Sequence, residues 1–244
     1  MRKKILIIGG SSDIGAAIAS RFAEEQFDVW LAGRDADYLS RVAGDIAIRK
    51  NAEVNCSAFD ASDFASHSEF YAALPMRPDV SVCVFGYLGE QRVAEDHWDE
   101  SKKIIDCNYT GAVSVLNMIA EDYARKRKGT IIGISSVAGD RGRQSNYIYG
   151  SAKAGFTAYL SGLRNRLYRS GVHVLTVKPG FVNSKMTDSL TLPPLLTVSP
   201  EQVASSVFRA YRKKQNVVYV SSWWRLIMAI ITAIPETIFK RLKL

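Results

Sequence analysis

The chain has 244 residues, 47% apolar and 23% charged, which suits one large α/β domain with a full core. Its three cysteines, Cys56, Cys83 and Cys107, are odd in number and lack CxxC spacing, and His67, His97 and His173 lack ligand spacing, so the composition argues for a reduced, cytoplasmic protein without a metal site. The net charge of +8 belongs almost wholly to the end of the chain, where Arg209, Arg212, Lys213, Lys214, Arg225, Lys240, Arg241 and Lys243 face Glu236 alone; that placement argues against a basic face for nucleic acid.

The opening MRKKILIIGG sets basic residues before apolar ones, as a secretory leader does. The apolar run stops at Gly9 after four residues, short of the ~7–15 such a leader needs. Short β-branched runs then alternate with helix-like stretches. Strands are expected at Lys4–Ile8, Asp28–Ala32, Glu53–Ala58, Val80–Phe85, Gly129–Ser135, His173–Pro179 and Val217–Val220. Helices are expected at Ile14–Glu25, Ala36–Lys50, Ala65–Leu74, Asp99–Arg127, Gly150–Ser170 and Glu201–Lys213. Continuous apolar strands separated by helices predict a Rossmann-type, doubly wound parallel sheet, with ligands at the carboxyl ends of the strands. Phe181–Pro200 is irregular, holds Pro193 and Pro194, and reads as a mobile lid. The domain is expected to span 1–222 and a C-terminal tail 223–244.

In the first βαβ unit a strand, the turn GGSSDIG and a helix follow one another, and a helix N-terminus suits a pyrophosphate. Gly33 and Arg34 end the second strand, where NAD enzymes tend to carry an acid; a guanidinium there suits a ribose phosphate and predicts NADPH ahead of NADH. Further on, Ser136 precedes Tyr149 by thirteen residues and Lys153 follows Tyr149 by four, a spacing that sets the last two on one helical face.

With Gly9-x3-Asp13-Ile14-Gly15, Asp60, Asn108, Ser136, Tyr149-x3-Lys153 and Pro179-Gly180, the chain resembles the short-chain dehydrogenase/reductase family over about residues 1–220. The resemblance implies carbonyl reduction: Tyr149 gives the proton, Ser136 holds the carbonyl oxygen and Asn108 anchors a water in the relay. Lys153, with an oxidised nicotinamide nearby, stabilises the phenolate. It places Asp60 at the adenine, and sets Ser11, Ser12, Gly86, Val182 and Ser184 against the cofactor along with Pro179 and Gly180. Two departures stand out: Asp13 replaces a glycine, and Cys83–Gly86 reads CVFG where the family has Asn-Asn-Ala-Gly. Either the Asp13 carboxylate turns away to cap the helix or cofactor affinity suffers. The competing class is a dinucleotide-binding sensor, which usually loses the tyrosine or the lysine.

Arg141 and Arg143, in the loop before Tyr149, suggest an anionic, phosphate-bearing substrate, or else pair with Asp140 or a neighbouring subunit. Together with FGYLG, NYTGAVSV and IPETIFKRL they make the chain resemble decaprenylphosphoryl ketopentose reductases, which reduce a lipid-linked keto sugar after a separate flavin oxidase; another lipid or acyl ketone is the alternative. A homodimer or homotetramer is expected. Trp223–Ile234 is apolar nearly all round, and as a helix it spans ~18 Å. A bilayer core needs ~30 Å. Pro235 is expected in the first turn of a second helix, with Ile238, Phe239 and Leu242 on one side and Lys240, Arg241 and Lys243 at its end. Two readings of the tail stay open: an anchor on an anionic membrane surface, at the inner face of the cytoplasmic membrane, or an element packed on the core or between subunits.

Overall fold

The computed structural model describes residues 2–188 and 190–242. Its elements run β1 Lys4–Ile8, α1 Asp13–Glu24, β2 Asp28–Gly33, α2 Ala36–Lys50, β3 Val54–Ala58, α3 His67–Ala73, β4 Val80–Cys83, α4 Gln91–Asp96, α5 Trp98–Ile105, a π-turn at Asp106–Thr110, α6 Gly111–Lys126 and β5 Thr130–Ile134. They continue with α7 Tyr147–Leu167, β6 His173–Lys178, β7 Phe181–Val182, β8 Thr197–Val198, α8 Pro200–Arg212, β9 Val217–Tyr219, α9 Ser222–Ala233 and α10 Glu236–Phe239.

Seven strands form one sheet in the order β3-β2-β1-β4-β5-β6-β9, and every pairing is parallel. The strands read as unbroken apolar runs because helices cover both faces. In β1, Ile5 and Ile7 join the core under α1, α2 and α8, while Leu6 and Ile8 join the core under α6 and α7. The chain reverses its winding between β1 and β4, which opens a crevice at their carboxyl ends. The doubly wound sheet read from the sequence is the one the chain forms.

Beyond shifts of one or two residues at several ends, four features differ. The helix expected over Asp99–Arg127 is opened by the π-turn, and α7 starts at Tyr147 rather than Gly150, which brings Tyr149 inside the helix. The short α4 follows no expected helix. The stretch read as irregular, Phe181–Pro200, contains β7 and β8 paired with each other, two 3-10 turns, and the start of α8. Lys243, counted among the basic residues of the tail, lies outside the described residues. No helix among those described is long and apolar enough to cross a membrane.

Candidate active site

Inside the π-turn, the extra residue per turn directs Asn108 into the fold, where it is buried. Its amide nitrogen donates to the carbonyls of Tyr87 (2.6 Å) and Ile104 (2.8 Å), and its oxygen accepts from the Tyr87 N–H at 3.3 Å. Ser136 leaves β5 with extended backbone and accepts from the Ala138 N–H at 3.1 Å. The next N–H, of Val137, donates to the Pro179 carbonyl at 3.0 Å, joining the serine loop to the loop after β6.

Tyr149 and Lys153 occupy the first two turns of α7. Ser135 fixes this helix to the end of β5, donating to the Lys153 carbonyl at 3.1 Å and pairing with Thr157 at 2.7 Å. The Lys153 side chain is buried, its ammonium donates to the Ile134 carbonyl at 3.3 Å, and it lies 5.7 Å from the centre of the Tyr149 ring. At Gly86 a side-chain carbon would stand 2.8 Å from the Asn108 oxygen and 3.4 Å from the Lys153 ammonium. The four expected catalytic residues, with Gly86 among them, are thus drawn to one end of the sheet.

Burial pushes the Tyr149 phenol up to about 12, and the neighbouring Ser136 hydroxyl draws it partway back. Burial likewise lowers the pKa of Lys153. The lowering expected at Tyr149 from the lysine and an oxidised nicotinamide together does not arise in the protein alone, where loss of hydration sets the direction. Cys83, at the start of the unusual CVFG stretch, is also held as a neutral thiol by burial.

At the other side of the crevice Gly9 has φ +100°, and a side chain there would come within 2.5 Å of the Phe85 nitrogen. Ser12 caps α1, accepting from the Gly15 N–H at 3.0 Å and donating to the Gly9 carbonyl at 2.8 Å. The first-turn N–H groups at Asp13 and Ile14 are of the kind a helix start leaves unpaired. Ser11 lies in the turn itself, where a side-chain carbon on Gly33 would stand 3.1 Å from its hydroxyl. Asp13 does not cap the helix, which was one of the two courses open to it in the sequence. Ser12 already holds the cap, and the Asp13 carboxylate reaches across to the backbone N–H of Lys185 at 2.7 Å.

Arg34 is exposed just past β2. Asp60 follows β3, where its carboxylate accepts from the Ser62 N–H at 2.8 Å and its carbonyl from the buried His67 ring at 2.8 Å. Val182 is buried in β7, and Ser184 opens the turn that carries Lys185. The tight glycine turn, the free start of α1 and the exposed Arg34, which has no ion-pair partner among the described residues, fit a dinucleotide: α1 would meet its pyrophosphate and Arg34 its adenosine end.

The two arginines of the loop before α7 part company. Arg141 donates to the carbonyls of Ile231 (2.9 Å), Thr232 (3.1 Å) and Ile234 (2.6 Å), meets the Glu236 carboxylate at 2.9 Å, and lies 3.8 Å from the Phe239 ring centre. It clamps the negative end of α9. This corrects the expectation that Arg141 binds substrate, since its guanidinium is spent on the tail. Arg143 is half-buried, its Nε has no hydrogen-bond partner, and no carboxylate pairs with it among the described residues; burial lowers its pKa.

Sequence reasoning missed the anchor of this loop. The Asp140 carboxylate, expected as a partner for the arginines, instead meets the largely buried Lys178 ammonium at 2.5 Å and the half-buried Tyr219 hydroxyl at 2.8 Å. Lys185 was missed too, although it directly follows Ser184. The tail packs beside the site through Trp224 and Met228, which are buried against Val137 with Phe181 and Tyr219 alongside. Pro235 precedes α10 as its cap rather than lying in its first turn.

The family model for short chain dehydrogenases matches residues 3–193. An uncharacterized oxidoreductase of Mycobacterium tuberculosis is 35% identical over 241 residues, covering 98% of this chain and 96% of that one. An uncharacterized oxidoreductase of Streptomyces coelicolor is 34% identical, over 98% of this chain and 96% of the relative. Among solved structures, a short-chain dehydrogenase from Sphingobium yanoikuyae in complex with NADPH superposes with a TM-score of 0.80 at 21% identity, over 96% of this chain and 97% of that one. An actinorhodin polyketide ketoreductase with NADPH gives 0.77 at 23% identity, over 85% and 89%.

Proposed function

This chain belongs to the short-chain dehydrogenase/reductase family, and from that premise we propose that it reduces a ketone to an alcohol with NADPH, on a substrate that carries a phosphate. The observation that carries the substrate class is Arg143. A half-buried guanidinium with no carboxylate at ion-pair distance among the described residues and an unpartnered Nε is costly to keep, and an anionic substrate group beside Tyr149 would supply what the protein withholds. A keto sugar on a polyprenyl phosphate meets this description, and the resemblance to ketopentose reductases favours it over another lipid or acyl ketone.

When bound, the nicotinamide supplies hydride to the carbonyl carbon. Tyr149 donates its phenolic proton to the carbonyl oxygen, and burial keeps that proton in place at neutral pH. The Ser136 hydroxyl holds the same oxygen. Lys153, fixed through the Ile134 carbonyl, steadies the phenolate left behind. Asn108 locks the backbone at Tyr87, next to Gly86, and anchors the water that returns the proton. Retention of both Tyr149 and Lys153 disfavours a non-catalytic sensor. Arg34, where an acid would favour NAD, supports NADPH, and NADH is the weaker choice.

The reading extends to a flavin-dependent oxidase as the source of the ketone, to a homodimer or homotetramer, and to a cytoplasmic protein resting on the inner face of the membrane through its tail. The outward residues Trp223, Leu226 and Ile230 support that last point.

Replacing Arg143 with Ala tests the substrate class. The Michaelis constant for a prenyl-phosphate keto sugar should rise about tenfold or more, the worth of one charge-assisted contact, while a neutral ketone is reduced as before. An equal response to both substrates makes Arg143 structural and removes the phosphate from the account.

A further inference from the structure

Asp13, the residue that departs from the family pattern, makes a contact that nothing in its neighbourhood requires. It sits at the first position of α1, beside the glycine turn, and its carboxylate holds the Lys185 backbone N–H from the far wall of the crevice at 2.7 Å. With its backbone pinned there, Lys185 extends its side chain over the opening to α2, where the ammonium donates to the Tyr38 hydroxyl at 3.1 Å and stands 4.7 Å from the ring centre. Tyr38 lies in the first turn of α2, four residues after Arg34. Arg41 approaches the same ring at 5.8 Å.

Arg34, Arg41 and Lys185 have no carboxylate within ion-pair distance among the described residues, whereas Arg49, on the same helix as Arg41, pairs with Asp45. Of the two acids just before Tyr38, Asp35 is engaged as the cap, accepting from the Tyr38 N–H at 2.8 Å, and Asp37 forms no ion pair with these cations among the described residues. Two of these cations therefore meet at the Tyr38 ring, four residues past Arg34 and the end of the second strand. A tyrosine hydroxyl is a weak partner for an ammonium, and a phosphate dianion is a strong one.

We infer that Lys185 is a second phosphate-binding cation at the adenosine end of the crevice, that it grips the ribose phosphate together with Arg34, and that Asp13 is the positioning residue that places it. The inference rests on the NADPH reading given above. It assigns a role to Asp13 that a glycine could not fill: the carboxylate itself repels phosphate, but by holding the Lys185 backbone it carries a cation across the crevice. On cofactor entry the ammonium exchanges Tyr38 for the phosphate, and the turn that carries it closes over the dinucleotide.

Binding rather than turnover tests this, by titrating intrinsic fluorescence with NADPH and NADH in the full-length protein and its Lys185→Ala, Asp13→Ala, Asp13→Asn and Arg34→Ala variants. Lys185→Ala should weaken NADPH about tenfold, as expected for one charge-assisted contact, and leave NADH within about twofold. Asp13→Ala should also weaken NADPH. Loss of a negative charge alone would tighten it, so the sign separates positioning from simple electrostatics. Asp13→Asn keeps an acceptor oxygen and should restore the preference. The inference is overturned if Lys185→Ala leaves NADPH unchanged, if it weakens both dinucleotides alike, or if Asp13→Ala tightens NADPH. Loss of preference in Arg34→Ala but not in Lys185→Ala overturns it while sparing the NADPH reading; equal affinity of the native protein for both dinucleotides ends that reading and the inference with it.

Discussion

A phenol pushed up to about 12 keeps its proton throughout the neutral range, which suits a donor and opposes an acceptor. Ketone reduction should therefore show no dependence on Tyr149 ionisation between neutral and mildly alkaline pH, and it should decline only as pH approaches the phenol's own pKa. The reverse oxidation needs the phenolate and should rise with pH over the same range. Tyr149→Phe should cut reduction by about 10²–10⁴ and leave dinucleotide affinity unchanged; Lys153→Ala should lower both. Steady-state rates across pH check the first part, and a reduction rate that climbs with pH would overturn the assignment of Tyr149 as donor. The spacing of Ser136, Tyr149 and Lys153 was legible because one helix and one loop set it locally. Partners were not: Asp13 meets an N–H 172 residues away, and Arg141 meets carbonyls about 90 positions on. Backbone groups are the same in every residue, so no side-chain pattern announces such contacts.

Strands and helices were legible as elements, because a parallel sheet covered on both faces leaves apolar runs that helices must interrupt. Their ends were less so. Nothing in the periodicity of Asp99–Arg127 marks the π-turn, which adds one residue without breaking the helix. The apposition of α9 with the loop after β6 was equally hidden, although Gly180 records it. A side-chain carbon at Gly180 would stand 1.9 Å from the Trp224 ring, and that ring packs edge-on to Phe181 and donates to the Leu196 carbonyl at 3.2 Å. Gly180→Ala should therefore force the helix outward and cost about 1–3 kcal/mol, read by denaturant unfolding. Trp224→Ala opens space at the same point, so the double variant should be less destabilised than the two losses added together. Additive losses, or a neutral Gly180→Ala, would show that the tail does not bear on this loop.

For the molecule as a whole, the order of βαβ units fixed where a crevice must lie, and the tail was the part the sequence left divided between membrane and core. The structure splits the helix itself. One face of α9, with Trp224 and Met228, is buried beside the site, while Trp223, Leu226 and Ile230 stand 64%, 55% and 58% exposed on the other. Arg225 lies on that exposed side, and Lys240 and Arg241 follow α10. Burial of three such apolar side chains is worth about 1.5–3 kcal/mol each at most, and each cation near an anionic surface adds about 1 kcal/mol; this is enough for reversible docking. Cutting the chain after Ser222 would be a poor test, because it also strips Trp224 and Met228 from Val137 and the Arg141 clamp from its carbonyls. Changing only the outer face, with Trp223, Leu226 and Ile230 all replaced by Ser, leaves those contacts in place. The native protein should float with anionic vesicles at low salt and be released as salt rises, while the triple variant stays in the soluble fraction with an unaltered melting curve. A native protein that remains soluble with such vesicles, or a triple variant that still floats, would end the membrane reading and return the outer face to contact with another protein surface.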